Sequence, residues 1–589
     1  MLDDTRRFAW WLAGLALAVP ALWKLLAGDH LEVLDHALIE MRTRDVFSAD
    51  PPLIGAYSRF GWAHPGPVFN YLYAVPYRLF GTDSAAIHLA ALTVNLLLLG
   101  WLAWLLRNAG RSVNVVMAIA TVGMVATHGD LLMTDTWNPS AAVLASFVLL
   151  AAAWRATDAD RGAVVSVLLA FSLVAQAHVG FAMVMLPPVV AALVISARRW
   201  WIAGHGVDHR AAWAAVALAI MWLPVLVDTV RYRPGNLADL ADWWIGDDEP
   251  TGGLVEGARV VARASSVSWP WRAGERTLLS TVDVGVGWLP GATIVALIAV
   301  LVLARRAQLF GVARMLAVAG LAWLGVLIGA AGVRGPRFGY LFAWLHPVVW
   351  FSYAALAIGA SALGAHRWHA DPRWPSTRRL LQVAGAATAL VVTFAAVAGV
   401  VRAQPPGSEL QAATRRFTDA IGTIHSSAVS GSPEQGPVGL AVAGGGLATG
   451  GVLFGVANAL DARGITLATP GQPLEFGRRR AGATPDVTYL IALASDEFLV
   501  PLDATKLACE GELSRDDDLR RLQLRGQLTE ALVAAGLGNR VSVLDTRLSA
   551  AALSVDVPES VLALQPELVE LSALQQRYLA AICLFALQA

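Results

Sequence analysis

The sequence is 589 residues long, 56% hydrophobic and only 15% charged, with a mean hydropathy of +0.56. A soluble globular chain carries nearer a quarter charged residues, so this apolar surplus has to face lipid. Lys plus Arg and Asp plus Glu both number 44, and a formal charge of zero gives no support for a nucleic-acid partner.

A bilayer core of roughly 30 Å needs about 20 apolar residues per helix. Runs of this kind predict about eleven transmembrane helices, at 8–27, 85–106, 113–128, 139–155, 162–178, 181–197, 211–228, 286–304, 315–332, 339–363 and 379–401. The first run contains Ala18-Val19-Pro20-Ala21, a weak cleavage pattern. Its proline and the bulky Trp23 and Lys24 that follow favour an uncleaved anchor. Arg6, Arg7, Arg107, Arg111, Arg155, Arg161, Arg198, Arg199, Arg305, Arg306, Arg378 and Arg379 fall on one side if the N-terminus is cytoplasmic. That orientation, in a plasma (inner) membrane, places 28–84, 129–138, 229–285, 333–338 and everything after about 403 outside the cytoplasm. The expected domains are a membrane part over 1–402 and a soluble extracytoplasmic part over 403–589.

The first exported loop opens with Leu34-Asp35-His36-Ala37-Leu38-Ile39-Glu40-Met41-Arg42-Thr43-Arg44-Asp45. As a helix it puts Asp35, Leu38 and Arg42 on one face. Asp45 then lies about 80° round from Asp35 and ~15 Å along the axis, too far for a carboxylate pair. Two readings stand: an interfacial helix with solvated charges, or a site. Next comes Tyr57-Ser58-Arg59-Phe60-Gly61-Trp62-Ala63-His64-Pro65-Gly66-Pro67, where Pro and Gly fix an irregular backbone and aromatics flank it. Arg59 and His64 could both meet a phosphate, and a structural turn anchored by its aromatics is the other reading.

Ionisable groups are nearly absent from the middle of the spans, whereas a proton-coupled transporter would hold them there. His178 and His346 come nearest to exceptions, as packing histidines or as ligands. Trp243-Trp244-Ile245-Gly246-Asp247-Asp248-Glu249 in the loop 229–285 reads as a solvated loop, an acceptor groove or a seat for a divalent cation. Beyond 403 the pattern is α/β. Gly439–Ala443, Ile465–Ala468 and Val487–Ala494 are strand-like, and Gly451–Arg463 and Leu513–Ala535 are helical. Ala443-Gly444-Gly445-Gly446 lacks a following Gly-Lys-Ser/Thr and reads as a turn. Cys509 and Cys583, the only two cysteines, either pair as a disulfide or remain buried thiols.

These motifs, in this order, resemble the GT-C superfamily of integral-membrane glycosyltransferases that use polyprenyl-phosphate sugars. The similar patterns are those of protein O-mannosyltransferases, aminoarabinose transferases and actinobacterial arabinofuranosyltransferases. Asp35-His36-Ala37-Leu38-Ile39 with Met41-Arg42-Thr43 is similar to the Asp-Asp/Glu-x-x-Ile…Arg run of the last group. His64-Pro65-Gly66-Pro67 resembles the Lys-Pro-Pro turn of the aminoarabinose transferases, where the Lys meets donor phosphate. Asp135, in Thr134-Asp135-Thr136-Trp137-Asn138-Pro139, resembles the Asp of the second exported loop. Pro336-Arg337-Phe338-Gly339-Tyr340 resembles the Arg-Tyr approach to a late span. The likeness covers roughly residues 1–360. His36 stands where the family has a second acid, and His64 where it has the phosphate lysine.

The resemblance implies a GT-C-like helical membrane domain that takes a sugar from a polyprenyl-phosphate donor. The acceptor would be a cell-envelope glycan, lipid or protein. It implies Asp35 as the base that removes the acceptor hydroxyl proton, with inversion at the anomeric carbon. Arg59, His64 and Arg337 would hold the donor phosphate. Glu40, Arg42, Asp45, Asp135, His178 and Tyr340 would orient sugar or acceptor. No cofactor is certain, and a divalent cation is the one candidate. The competing classes are a transporter or flippase of lipid-linked sugars and a non-catalytic envelope-assembly scaffold.

Overall fold

The computed structural model describes residues 2–28, 30–58, 60–128, 132–203, 209–246, 251–264, 287–335, 337–368, 398, 411–412, 414–419, 438–441, 451–469, 473–481, 489–493, 500–501, 503–510, 513–538, 541, 544, 563–580 and 582–587. The chain forms two compact units. The first holds Met1–Asp29, Leu53–Ala56 and Trp62–Pro405; the second holds His30–Pro52, Tyr57–Gly61 and Pro406–Ala589. Part of the first loop thus groups with the far end of the sequence, across the linear division expected at 402.

Along the chain the helices are α1 (Leu2–Ala27), α2 (Leu34–Asp45), α3 (Val68–Phe80), α4 (Ser84–Leu105), α5 (Arg111–His128), α6 (Asn138–Ala156) and α7 (Arg161–Ala177). They continue as α8 (Val179–Ile202), α9 (His209–Arg231), α10 (Asn236–Gly246), α11 (Gly253–Ala264), α12 (Leu289–Arg306), α13 (Phe310–Ala331) and α14 (Leu345–Trp368). Eight helices among the described residues are long and apolar enough to cross a membrane: α1, α4, α6, α8, α9, α12, α13, and the run Gly339–Arg367 that contains α14. The chain is a multi-pass membrane protein by this measure. The expected count of about eleven is not reached among the described residues. α7, at 17 residues, falls short, and α5 carries the polar Asn114, Thr121, Thr127 and His128 along its length. The run at 379–401 lies outside the described residues.

In the first unit α6 is buried along nearly its whole length, which makes it the central helix. Its alanines let neighbours approach closely, as membrane helices do without a hydrophobic drive between them. Gly325 of α13 serves the same end, because a Cβ there would run into the Val184 carbonyl of α8. Peripheral helices keep bare apolar faces, such as Trp11, Leu15, Val19 and Trp23 on α1 and Ile220 and Leu223 on α9. A face of that kind suits lipid. Helix starts are written locally. Asp83 accepts from the Ala86 amide at α4, Asp160 accepts from Gly162 and Ala163 at α7, and Pro139 opens α6.

The second unit is built on a five-stranded sheet of order β2-β1-β3-β5-β4. Its strands are β1 (Val438–Ala441), β2 (Leu467–Ala468), β3 (Tyr489–Leu493), β4 (Thr505–Glu510) and β5 (Ile582–Ala586). β1 runs parallel to β2 and β3, while β5 is antiparallel to both β3 and β4. A helix over Gly451–Ala462, α15 here, connects β1 to β2. The first three strands and the helices Gly451–Ala462 and Arg515–Ala534 match the sequence pattern; β4 and β5 were not expected. Ala37, Leu38 and Met41 of α2 share one buried cluster with Phe417, Val438, Leu440, Leu453, Phe454, Leu460 and Ile491. α2 is therefore part of this domain's core. Burying Leu38 and Met41 contributes about 1.5–3 kcal/mol each.

Cys509 and Cys583 face each other in the β4–β5 register and form a disulfide across 74 residues. Of the two alternatives, the paired one holds. Denatured, unreduced protein should show no titratable thiol and reduced protein two, since these are the only cysteines. Breaking the bond by Cys509→Ser should destabilise the second unit by about 2–5 kcal/mol in denaturant melts.

Candidate functional site

α2 begins with an uncommon backbone. Leu34 sits at φ 54°, in the left-handed region that a leucine enters only at a cost of about 1–3 kcal/mol. Asp35 follows directly and is half-buried. The Tyr57 hydroxyl donates to its Oδ1 at 3.1 Å, which fixes the carboxylate's direction. Tyr57 in turn meets the Phe454 ring edge-on, with centroids 6.4 Å apart.

The charged end of α2 is neither solvated nor open. Arg480, itself buried, spends all five of its N–H donors. Nη1 reaches Asp45 Oδ2 at 2.6 Å and the Phe476 carbonyl at 2.9 Å; Nη2 reaches Asp45 Oδ1 at 3.0 Å and Asp461 Oδ1 at 2.8 Å; Nε reaches Asp461 Oδ1 at 3.2 Å. Arg44 extends the network to Asp461 Oδ2 at 2.6 Å, Glu40 Oε1 at 3.2 Å and Asn458 Oδ1 at 3.2 Å. Asn458 Nδ2 donates to Glu40 Oε2 at 2.8 Å. Arg42 lies against Gly477, whose φ of 87° and missing Cβ admit the guanidinium. Glu40, Arg42 and Asp45, expected to orient a sugar, are thus engaged with the sheet domain. His36 is buried on the same helix.

In the first unit the histidine turn is tightly held. Gly55 donates to the His64 carbonyl at 2.9 Å, and the His64 amide donates to Ala56 at 2.8 Å. Asn236, at the start of α10, grips the backbone of Ala63 from both sides: the Ala63 amide reaches its Oδ1 at 2.7 Å, and its Nδ2 reaches the Ala63 carbonyl at 2.8 Å. The Val179 amide at the start of α8 donates to His64 Nδ1 at 3.3 Å, which puts the ring's proton on Nε2. The His178 ring lies 4.5 Å from that of His64, and its Nδ1 accepts from the Gly180 amide at 3.2 Å. Trp62 packs against His64 at 5.3 Å and against Trp243 at 5.2 Å. Burial, with the neighbouring His178 as a lesser cause, holds the His64 imidazole well below its ordinary range. The ring is neutral at pH 7, so the fixed positive charge expected of it is absent.

Asp135 is buried before α6, and its Oδ1 accepts from the Trp137 amide at 2.9 Å. Trp137 meets Tyr340 at 4.9 Å, and Tyr340 stacks on Phe338 at 5.8 Å. Asp135 and Tyr340 are therefore brought to one neighbourhood through a tryptophan. Burial, and then the Asp135 charge, push the Tyr73 hydroxyl pKa upward and keep it protonated. Arg337 pairs with Glu256 at 2.5 Å. Nearby Arg334 lies over the Trp243 ring at 4.8 Å and donates to the Trp243 and Trp244 carbonyls at 3.1 and 3.2 Å. His346 meets His128 at 5.0 Å, whose Nε2 is 3.2 Å from Ser140 Oγ.

Arg59, Asp247–Glu249 and Gly444–Gly446 lie outside the described residues. Among the described residues no group of three or more His, Cys, Asp or Glu is arranged to hold a metal ion. The sequence reading missed Tyr57, Asn236, Asn458, Asp461 and Arg480. A separation of 435 residues between Asp45 and Arg480 leaves no local signal for that pair.

No protein-family model matches the sequence, and no curated protein matches it either. The fold matches solved structures of ArnT from Cupriavidus metallidurans. Against the apo state the TM-score is 0.52 at 15% identity, over 86% of this chain and 97% of that chain. Against the form bound to undecaprenyl phosphate it is 0.51 at 15% identity, over 85% and 96%. The fold, a helical membrane part together with an α/β part, is one the chain shares with ArnT.

The depressed His64 pKa sets an acid limit. The unfolded chain takes up its proton first, so the His64 contribution is present above about pH 6.5 and is lost as pH falls below it. His64→Asn, which keeps an acceptor for Val179, should shrink the fall in melting temperature between pH 7.5 and 5.5 by about 1–3 °C, read by differential scanning in detergent. An unchanged fall would show that the other buried histidines account for all of it.

Proposed function

We propose that this chain is a membrane glycosyltransferase that moves a sugar from a polyprenyl-phosphate carrier to a hydroxyl of a cell-envelope glycan, lipid or protein. The observation that carries the reading is the fold shared over 85% of the chain with a protein whose structure holds undecaprenyl phosphate. The motif order agrees with it, as does the half-buried Asp35 behind a backbone outlier. Strain of the Leu34 kind gathers at functional sites.

A sugar on a polyprenyl phosphate already has a good leaving group, because the phosphate departs as a stabilised anion. The chain has then to supply a base and fixed positive charge. In the proposed step the acceptor oxygen attacks the anomeric carbon from the face opposite the phosphate. Its proton passes to Asp35, the bond from the anomeric carbon to the phosphate oxygen breaks, and polyprenyl phosphate leaves with that bond's electron pair. The anomeric centre inverts. Tyr57 aims the carboxylate of Asp35.

Arg59 and Arg337 are the cationic candidates for the phosphate. Arg337 would exchange its half-exposed Glu256 partner for the donor. His64 would add a neutral hydrogen bond from Nε2. Asp135 and Tyr340, beside Trp137, have the carboxylate-plus-aromatic chemistry that suits a sugar ring. The active side would be extracytoplasmic, with the N-terminus in the cytoplasm of the plasma (inner) membrane.

Purified protein incubated with a panel of polyprenyl-phosphate arabinose, mannose and aminoarabinose should yield donor-dependent product with at least one of them. Asp35→Asn should lower transfer about 10²–10⁴-fold while the protein stays folded and membrane-inserted. Undiminished transfer by that variant would remove Asp35 from the chemistry.

A further inference from the structure

The second unit contains Asp35 and the sheet domain in one compact body, and two separate arms run between them. The first arm is the Arg480 bridge from Asp461 on α15 to Asp45 at the end of α2. The second is the contact from Phe454 on α15 to Tyr57, whose hydroxyl holds Asp35. Phe454 itself rests on Phe476, at 5.4 Å, and the Phe476 carbonyl takes one of Arg480's hydrogen bonds. Both arms therefore converge on the segment Phe476–Arg480.

We infer that the C-terminal domain is a positioning device for the candidate base, with Arg480 as its principal residue. The inference rests on the function proposed above and deepens it.

The physical case is one of rigidity. α2 is a 12-residue helix whose buried residues are half apolar, Ala37, Leu38, Ile39 and Met41, and half polar, His36, Glu40, Thr43 and Asp45. Non-directional packing by Ala37, Leu38 and Met41 fixes the helix to a place but not to an angle. A guanidinium that grips both oxygens of Asp45 and also Asp461 fixes the angle, because its planar fork tolerates one relative orientation. Asp35 lies ten residues away on the same short rod, so the angle set at Asp45 is the angle presented at Asp35. A general base is sensitive to this, since a misplacement on the order of 1 Å can lower the rate on the order of 10²-fold. Lysine cannot reproduce five donors in a fixed fork, so the requirement at 480 is for arginine.

The test uses full-length protein in detergent or nanodiscs. Hydrogen exchange comes first, because it needs no substrate. Arg480→Met should speed amide exchange across Ala37–Asp45 at least ~10-fold while β1 and β3 keep their protection; unaltered exchange over α2 overturns the clamp. Transfer is then measured with the polyprenyl-phosphate sugar that wild-type protein uses. Arg480→Met should lower kcat at least ~10-fold with the donor KM within about twofold, as expected for a lost orientation rather than lost binding. Arg480→Lys should recover only part of the rate. Should Arg480→Met fail to fold, Asp45→Asn keeps the shape and loses the charge, and it should show the same kcat-only loss in smaller measure.

Asp35→Asn run alongside separates the two proposals. If Asp35→Asn is inactive and both Arg480→Met and Asp45→Asn retain full kcat, the positioning role is wrong and the proposed reaction stands. If Asp35→Asn is fully active, Asp35 is not the base and the positioning role falls with it, while the transfer activity itself stands. A loss confined to donor KM would also overturn the positioning role, since it would place Arg480 in binding.

Discussion

A guanidinium buried between two carboxylates is held by geometry more than by net gain in energy. Taking the three charges out of water is expensive, and their attraction returns that energy only when every donor and lone pair finds a partner. Arg480 meets the condition with five hydrogen bonds to Asp45, Asp461 and the Phe476 carbonyl. Removing one partner would leave a buried charge exposed to no solvent, a loss of about 3–5 kcal/mol. Such an arrangement has one good solution and many bad ones. It therefore dictates how the segment Leu34–Asp45 belongs to a domain whose sheet is formed hundreds of residues later.

The first unit is ordered by a different device. Asn236 bonds both the amide and the carbonyl of Ala63, replacing a strand partner with one side chain. That grip, with the Gly55–His64 pairing, lets a turn rich in Pro and Gly keep one shape. The histidines beside it are dry, so they act as neutral hydrogen-bonding groups. Under the proposed function, cationic contact to the phosphate would fall to arginines, whose charge burial does not remove. Arg337 is half-exposed and bound to one carboxylate, an arrangement in which a phosphate can replace a side chain of like charge.

Helical periodicity, strand patterns and the succession of a helical membrane part by an α/β part were legible because they are local or nearly so. Runs of apolar residues located α1, α4, α6, α8, α9, α12 and α13 to within a few residues. Among the described residues the spans at α5 and α7 are not among the eight helices long and apolar enough to cross a membrane, since α7 is short and α5 carries polar residues. Strands β4 and β5 escaped because Thr505–Glu510 mixes charge with apolar residues and Ile582–Ala586 is a continuous apolar run that periodicity does not separate from the helix just before it. Motif order drew attention to Asp35, His64, Asp135 and Tyr340. The roles of Glu40, Arg42 and Asp45 were illegible for a physical reason: a charge on a surface helix looks the same whether its partner is water or an arginine from another part of the chain. Arg480, in the run Arg478-Arg479-Arg480, carries no mark that separates it from its two neighbours.

The position of β5 within the sheet bears on the order of assembly. It lies between β3 and β4, so an inner strand of the domain is supplied by residues 582–586. Until those residues have been made, β3 and β4 lack a shared neighbour and the disulfide lacks one of its sulfurs. α2, by contrast, leaves the ribosome early. At about 5–20 residues per second, on the order of half a minute to two minutes of synthesis separate the two. Arg44 and Asp45 wait for Asp461 and Arg480, which lie 417 and 435 residues further along, and the cluster around Met41 closes only with Leu584. The helix is thus made long before the core it completes.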